Sequence, residues 1–317
     1  LVLGNLLRDS GQLDAAEEHY RQAQILQNEP VQPTLRLSAI AARKGDLNAA
    51  RSLLSEAEEF AGSPTDKTHV RQAATSLALR LGKIHEAIAL TWAQEEFLVQ
   101  SSGLLNLTLR VYRPLVSYFV LLDDLESARD ALVTARGMLT PPMDKFMGFS
   151  AAVIYAAEKD IEAANTSLQQ AREVIEQFQL KVMNVQVQAV AGIISEAEED
   201  YVAMAQHYLE AISLIEQSVV ASSMFFVVPQ LYSEIARAQI ETGDLVAAEK
   251  SIDAGFILDP SEPLLWVAQA HLQKERNMPQ LALASVNYAL AIWSDADEEY
   301  IRVKRARAFA RELQDQD

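Results

Sequence analysis

The chain is 317 residues long, half of them hydrophobic but only 7% aromatic, and its 27 basic against 44 acidic side chains leave a formal charge of −17. That charge opposes the phosphate-neutralising footprint of a nucleic-acid binder, so direct binding to DNA or RNA is not expected. The absence of cysteine excludes disulfides, zinc–thiolate sites and thiol catalysis, and no apolar run reaches the roughly 18 residues of a membrane span, so membrane insertion is not expected either.

The opening Leu1-Val2-Leu3-Gly4-Asn5 has neither the basic flank nor the long apolar centre of a signal peptide. It falls inside a repeat, so the chain is expected to be a piece of a longer protein whose shortened first repeat offers a surface for self-association. The compartment is left open between cytoplasm and periplasm.

Self-similarity decides the fold class. Gly11-Gln12-Leu13-Asp14-Ala15-Ala16 recurs as Gly45-Asp46-Leu47-Asn48-Ala49-Ala50, as Gly82-Lys83-Ile84-His85-Glu86-Ala87 and as Gly243-Asp244-Leu245-Val246-Ala247-Ala248. Looser copies run from Asp123 to Ala128, Lys159 to Ala164, Glu199 to Met204 and Asn277 to Ala282. The anchors Ala16, Ala50, Ala87, Ala128, Ala164, Met204, Ala248 and Ala282 define about eight units.

A Gly-containing turn closes one helix, because glycine accepts the left-handed conformation of a helix C-terminus, and lets the next begin within a few residues. Four residues past the anchor stands a large apolar side chain and three further on a small one, as in Tyr20 and Ala23, Leu54 and Ala57, Leu132 and Ala135, Tyr208 and Ala211, or Ile252 and Gly255. Those spacings share one helical face. The small residues let a partner backbone approach, and the large one fills the wedge between neighbouring hairpins. Thr91 and Gln94 break this rule in the third unit, so its second helix is expected to pack differently.

Breakers separate the units at Asn28-Glu29-Pro30 to Pro33, Gly62-Ser63-Pro64, Ser101-Ser102-Gly103, Thr140-Pro141-Pro142 and Asp259-Pro260. The hairpins then span roughly 1–29, 30–62, 66–100, 104–140, 143–180, 183–220, 227–260 and 263–295, within one domain over 1–317. Pro114 either starts a first helix or kinks a longer one that begins near Leu104. Residues 296–315 read as an unpaired capping helix, with Val303, Ala306, Phe309, Ala310 and Leu313 on its apolar side.

The pattern resembles the tetratricopeptide repeat at Leu3-Gly4, Leu7, Ala16, Tyr20 and Ala23, and again at Tyr232, Gly243, Leu245, Ala248, Ile252 and Pro260. The resemblance covers essentially the whole chain and implies an all-α, right-handed solenoid of about eight helix hairpins. The longer periods of the middle units are similar to helical sensor domains of bacterial transcriptional regulators.

Catalytic motifs are lacking. No two of the five histidines stand at metal-ligand spacing, and no phosphate-cradling glycine loop, dinucleotide fingerprint or nucleophile elbow occurs. Adjacent acid pairs such as Glu58-Glu59, Glu95-Glu96 and Glu198-Glu199 fit solvated helix faces, and Trp92, Trp266 and Trp293 fit the core. No enzyme activity, cofactor or metal is expected.

In the tetratricopeptide family the first helix of each pair lines the inner surface. The resemblance therefore implies that Asn5, Arg8, Arg36, Arg43, Arg80, Arg110 and Arg113 line the inner face of units one to four, with Asp9 the only acid. It likewise places Phe146 and Phe149 in an apolar pocket of unit five. This local reversal of sign points to an acidic partner segment held by guanidinium groups. The competing structural reading is that these arginines pair with acids on neighbouring helices. The family's carboxylate clamp for chaperone tails is not matched, since Leu1, Leu35, His69 and Ala73 stand where its Lys and Asn belong. The sequence thus reads as a non-catalytic protein-interaction scaffold; the alternative is a ligand-sensing, oligomerising regulatory domain of a larger bacterial signalling or transcription-regulating protein.

Overall fold

The computed structural model describes residues 1–26, 30–95, 98–99, 103–217 and 227–315, and every regular element among them is helical. Helices pair in chain order: α1 (Val2–Asp9) with α2 (Leu13–Leu26), α3 (Val31–Arg43) with α4 (Leu47–Phe60), and α5 (Pro64–Arg80) with α6 (Ile84–Trp92). Next come α7 (Gly103–Leu107), a π-helical turn Thr108–Tyr112 and α8 (Arg113–Leu121), which packs on α9 (Leu125–Met138). The series continues with α10 (Gly148–Ala157) and α11 (Ile161–Gln177), then α12 (Asn184–Ala197) and α13 (Tyr201–Gln217). Two further pairs follow, α14 (Val228–Glu241) with α15 (Leu245–Leu258) and α16 (Pro263–Glu275) with α17 (Pro279–Ile292), before α18 (Ile301–Gln314) closes the array. Asn28, Glu29, Glu96, Ser101 and Ser102, named above as turn or surface residues, lie outside the described residues.

Each hairpin turn is built the same way. Its closing residue has a positive φ whether it is glycine, as at Gly11, Gly45, Gly82 and Gly243, or not, as at Asp123, Lys159, Glu199 and Asn277. At Gly45 the turn N–H groups return to the end of α3, Gly45 N to Ala42 O at 3.1 Å and Asp46 N to Ala41 O at 2.9 Å. The next residue then caps the second helix: Asp46, Asp124, Asp160, Asp200 and Asp244 each accept a hydrogen bond from the backbone N–H three positions on, at 2.9 to 3.1 Å. The degenerate turns therefore keep the geometry of the glycine-bearing ones.

Packing follows the small-residue register. Ala16, Ala50, Ala87, Ala128, Ala164, Met204, Ala248 and Ala282 are all at 0% exposure. Tyr20 and Tyr208 lie against Gly4 and Gly192, where an added Cβ would stand 2.6 and 2.7 Å from the rings. Pro114 sits in a helix that already began at Gly103, and the π-helical turn just before it absorbs the missing backbone donor. Trp293 is buried at 2% exposure, whereas Trp92 is 37% exposed and meets Tyr112 edge-on, so it is not a core residue. In the third unit Thr91 and Gln94 are buried at 2% and 4% and face an internal cavity instead of a wedge.

The array also closes on itself. One hydrophobic cluster joins Ile84 and Leu122 to Ala282, Trp293, Tyr300, Val303 and Leu313, with Leu79, Ile88 and Tyr118 packed beside them. Trp293 Nε1 donates to the carbonyl of Arg80 at 3.0 Å, Asp297 N to the carbonyl of Gly82 at 3.0 Å, and His85 N to Asp297 Oδ2 at 2.7 Å. The last two hairpins and the capping helix thus seat against the hairpin turns of the first three.

Candidate functional site

Closure turns the inner face of the first hairpins into a chamber of about 680 Å³. Its walls are Asn5, Arg8 and Asp9 of α1, Gln32, Arg36 and Arg43 of α3, His69, Gln72, Ser76 and Arg80 of α5, and Arg110; Gln230, Asp259 and Glu262 come from the C-terminal half. Gln32 and His69 stand near the starts of their helices, while Arg43 and Arg80 end theirs. From Gln32 to Arg43 the wall rises about 16 Å at 1.5 Å per residue.

The floor is a clasp. Arg80 Nη1 and Nη2 donate to Asp259 Oδ2 and Oδ1, each at 2.8 Å, and Nη2 also donates to Ser261 Oγ at 2.6 Å. The Ser261 hydroxyl reaches the carbonyls of Ala42 and Arg43 at 2.8 and 3.0 Å, and Arg43 Nη1 donates to the carbonyl of Leu258 at 3.3 Å. Glu262 Oε2 lies 3.7 Å from Arg80. Burial opposes the charge of Arg80, yet Asp259 and then Glu262 hold its pKa above the ordinary guanidinium range. Burial raises the Glu262 carboxyl although Arg80 pulls the other way.

Higher in the chamber the charge is less matched. Arg8 pairs with its neighbour Asp9 at 2.6 Å. Arg36 makes no hydrogen bond or ion pair among the described residues, and burial followed by the Arg8 charge draws its pKa down. Tyr20 donates to Asn5 Oδ1 at 2.7 Å, and Asn5 lines the cavity. Gln32 and His69 share a hydrogen bond of 2.8 Å. Arg110 is exposed.

Six of the nine residues expected at the site, Asn5, Arg8, Arg36, Arg43, Arg80 and Arg110, therefore share one cavity. Three expectations need correction. Arg80 is occupied by Asp259, a residue of the chain's own far end. Arg113 donates to Gln186 Oε1 at 2.6 Å, spanning 73 residues, and is half-buried outside the chamber lining. Phe146 and Phe149, each 3% exposed, belong to the core beside Leu168, Ala171 and Ile175. A 3-10 turn, Met143–Met147, leads into α10, and the two rings pack inward on α11 instead of lining an open pocket.

Sequence reasoning missed Asp259, which reads only as part of the breaker Asp259-Pro260, and Ser261 and Glu262, which follow it. It also missed that Glu234, Arg237, His271 and Lys274 serve the capping helix. Arg302 of α18 donates to Glu234 at 3.1 Å, Arg237 bridges Glu234 and Glu196 at 2.8 and 2.9 Å, and Phe309 stacks on His271 with centroids 4.0 Å apart. Among the described residues no helix is long and apolar enough to cross a membrane.

No family model matches the chain, and no curated protein does. Solved structures do. A tetratricopeptide repeat protein from Parabacteroides merdae ATCC 43184 superposes with a TM-score of 0.50 at 15% identity, over 90% of this chain and 98% of that one. The chain has a tetratricopeptide-like repeat fold. Other solved structures similar to this tetratricopeptide-like solenoid include the Cut9–Hcn1 assembly of the APC/C (TM-score 0.46, 16% identity, 95% of this chain and 53% of that one). Yeast Tom70 is a further one (TM-score 0.45, 13% identity, 96% and 59%).

Proposed function

We propose that this solenoid is a non-catalytic interaction scaffold whose first four hairpins hold an acidic segment of a partner protein. The observation that carries the reading is a pair of guanidinium groups, Arg36 and Arg110, which line one cavity without a carboxylate partner among the described residues in a chain of charge −17. Guanidinium forks take carboxylates in two-point contacts, and neighbouring amides from Gln32, Gln72 and Asn5 add donors for a backbone. The contacts are spread over several hairpins, as a stacked array allows, so each is modest.

The test is fluorescence anisotropy of a labelled Glu-rich peptide, with a Lys-rich peptide of equal length as control, against the native chain and Arg36→Glu/Arg110→Glu. The acidic peptide should bind with an affinity that falls as salt rises, and the double reversal should weaken it at least tenfold while circular dichroism stays unchanged. Equal binding of both peptides, or of the acidic peptide to both proteins, would count against the scaffold reading.

A further inference from the structure

The closed end of the chamber holds more positive charge than the fold uses. Three carboxylates reach the cavity, Asp9, Asp259 and Glu262. Arg8 takes the first, and Arg80 takes the other two. Arg43 is left with one backbone carbonyl, that of Leu258 at 3.3 Å, and Arg36 with no partner among the described residues. Burial first, and then neighbouring guanidinium groups, disfavour the charged form of Arg36. The same holds for Arg43, where Arg8 and Arg80 work against the help of Asp259. Arg43 is buried and Arg36 half-buried; a desolvated cation lacking a paired carboxylate is destabilising, and what relieves it is an anion of the right reach.

Shape narrows the kind of anion. The Asp259–Ser261–Arg80 clasp bounds the lining on one side and joins it to the C-terminal half. The chamber's 680 Å³ lies within the roughly 300–1,000 Å³ typical of small-molecule sites. The lining near Arg36 includes the amide side chains of Asn5, Gln32 and Gln72, and the Asn5 oxygen is already engaged by Tyr20.

We propose that the closed end of the chamber binds a small polyanion, a molecule with two or more carboxylate or phosphoryl groups, engaged by Arg36 and Arg43 and oriented by Asn5. The site is distinct in ligand class from the acidic protein segment proposed above and does not depend on it.

The experiment is thermal unfolding with calorimetric titration at constant ionic strength, using inorganic pyrophosphate and citrate as probes and acetate as a singly charged control, on the native chain and Arg36→Gln. At least one polyanion should raise the melting temperature of the native chain where acetate does not. Arg36→Gln should melt at or above the native temperature without ligand, because a repelled charge is gone, and bind the probe at least tenfold more weakly. Response to citrate alone assigns a carboxylate ligand, to pyrophosphate alone a phosphoryl one, and to both their shared charge. Absence of a shift with either probe, or equal shifts in the two proteins, overturns the proposal. Should both probes fail while the acidic peptide binds, this inference falls and the scaffold reading stands; the reverse pattern removes the scaffold reading alone.

Discussion

Arg80 and Asp259 are 179 residues apart in the chain and meet through two parallel hydrogen bonds of 2.8 Å, with side-chain exposures of only 11% and 4%. Their contact is one of several that join the first hairpins to the C-terminal half, beside the bonds of Trp293 and Asp297 to the carbonyls of Arg80 and Gly82.

Removing one partner of this pair should be costly. Arg80→Met leaves Asp259 and Glu262 buried beside each other without a counter-charge, a situation that typically costs about 3–5 kcal/mol. Urea unfolding should report the loss, and small-angle scattering should report a larger radius of gyration. Arg80→Met/Asp259→Leu should be less destabilised than the sum of its single variants. A native radius and midpoint for Arg80→Met would mean that the clasp does not hold the ring.

A subtler probe of the same closure is Gly82, whose φ is +71° and where an added Cβ would stand 2.7 Å from Ala296 Cβ. Gly243 has a similar φ of +80° with nothing within 4 Å. Gly82→Ala should therefore lose more stability than Gly243→Ala, whose deficit is limited to the backbone penalty of about 1 kcal/mol. Matched losses would place no weight on the contact with the C-terminal turn.

Acid should weaken the capping helix through His271. Burial, and then the charge of Lys274, hold its pKa down to about 4, while an unfolded imidazole takes its proton near 6.5. The unfolded chain thus binds the proton first, so the stability that neutral His271 contributes is complete above about pH 6.5 and is lost as pH falls through 4. The loss is at most about 3–4 kcal/mol. Between pH 7 and pH 4 the urea midpoint of the native protein should fall further than that of His271→Phe, because the variant keeps a ring against Phe309 and cannot titrate; equal falls would assign the slope to other groups.

The anchor register predicts overpacking. Ala50 and Ala248 are at 0% exposure, and Ala50→Leu or Ala248→Leu should each cost roughly 1–3 kcal/mol in denaturant titrations. Native-like midpoints in both would place the helix interface elsewhere.

Phe149 separates packing from binding. Phe149→Ala should cost about 3–5 kcal/mol, as core aromatic truncations do, and leave the affinity of the folded fraction for an acidic peptide unchanged. A selective loss of affinity with native stability would return Phe149 to the binding surface.

Much of the fold was legible because its determinants are local. Glycine at 11, 45, 82 and 243 marks turns that need a positive φ, and alanines at helical spacing mark the faces where backbones approach. The degenerate turns were harder to read, since Asp123, Lys159, Glu199 and Asn277 adopt a conformation their side chains do not advertise. Asp46, Asp124, Asp160, Asp200 and Asp244 cap the second helices, a role that the Gly-containing turn motif does not by itself single out. At the site, the inner register located Asn5, Arg8, Arg36, Arg43, Arg80 and Arg110 on one cavity, but it could not tell the free guanidinium of Arg36 from the committed one of Arg80. It misplaced Phe146 and Phe149, whose direction depends on a 3-10 entry to α10.

What the amino-acid order by itself determined is the repeating hairpin, because turn geometry, caps and helix faces are set by neighbours within one unit. Only the tertiary structure decided that the array bends far enough for Asp259 and Ser261 to reach Arg80 and Arg43. That curvature accumulates from small rotations between successive hairpins, and each depends on how a wedge such as Tyr20 or Tyr208 is filled. No single repeat encodes the meeting of the two ends; the sum of all of them does.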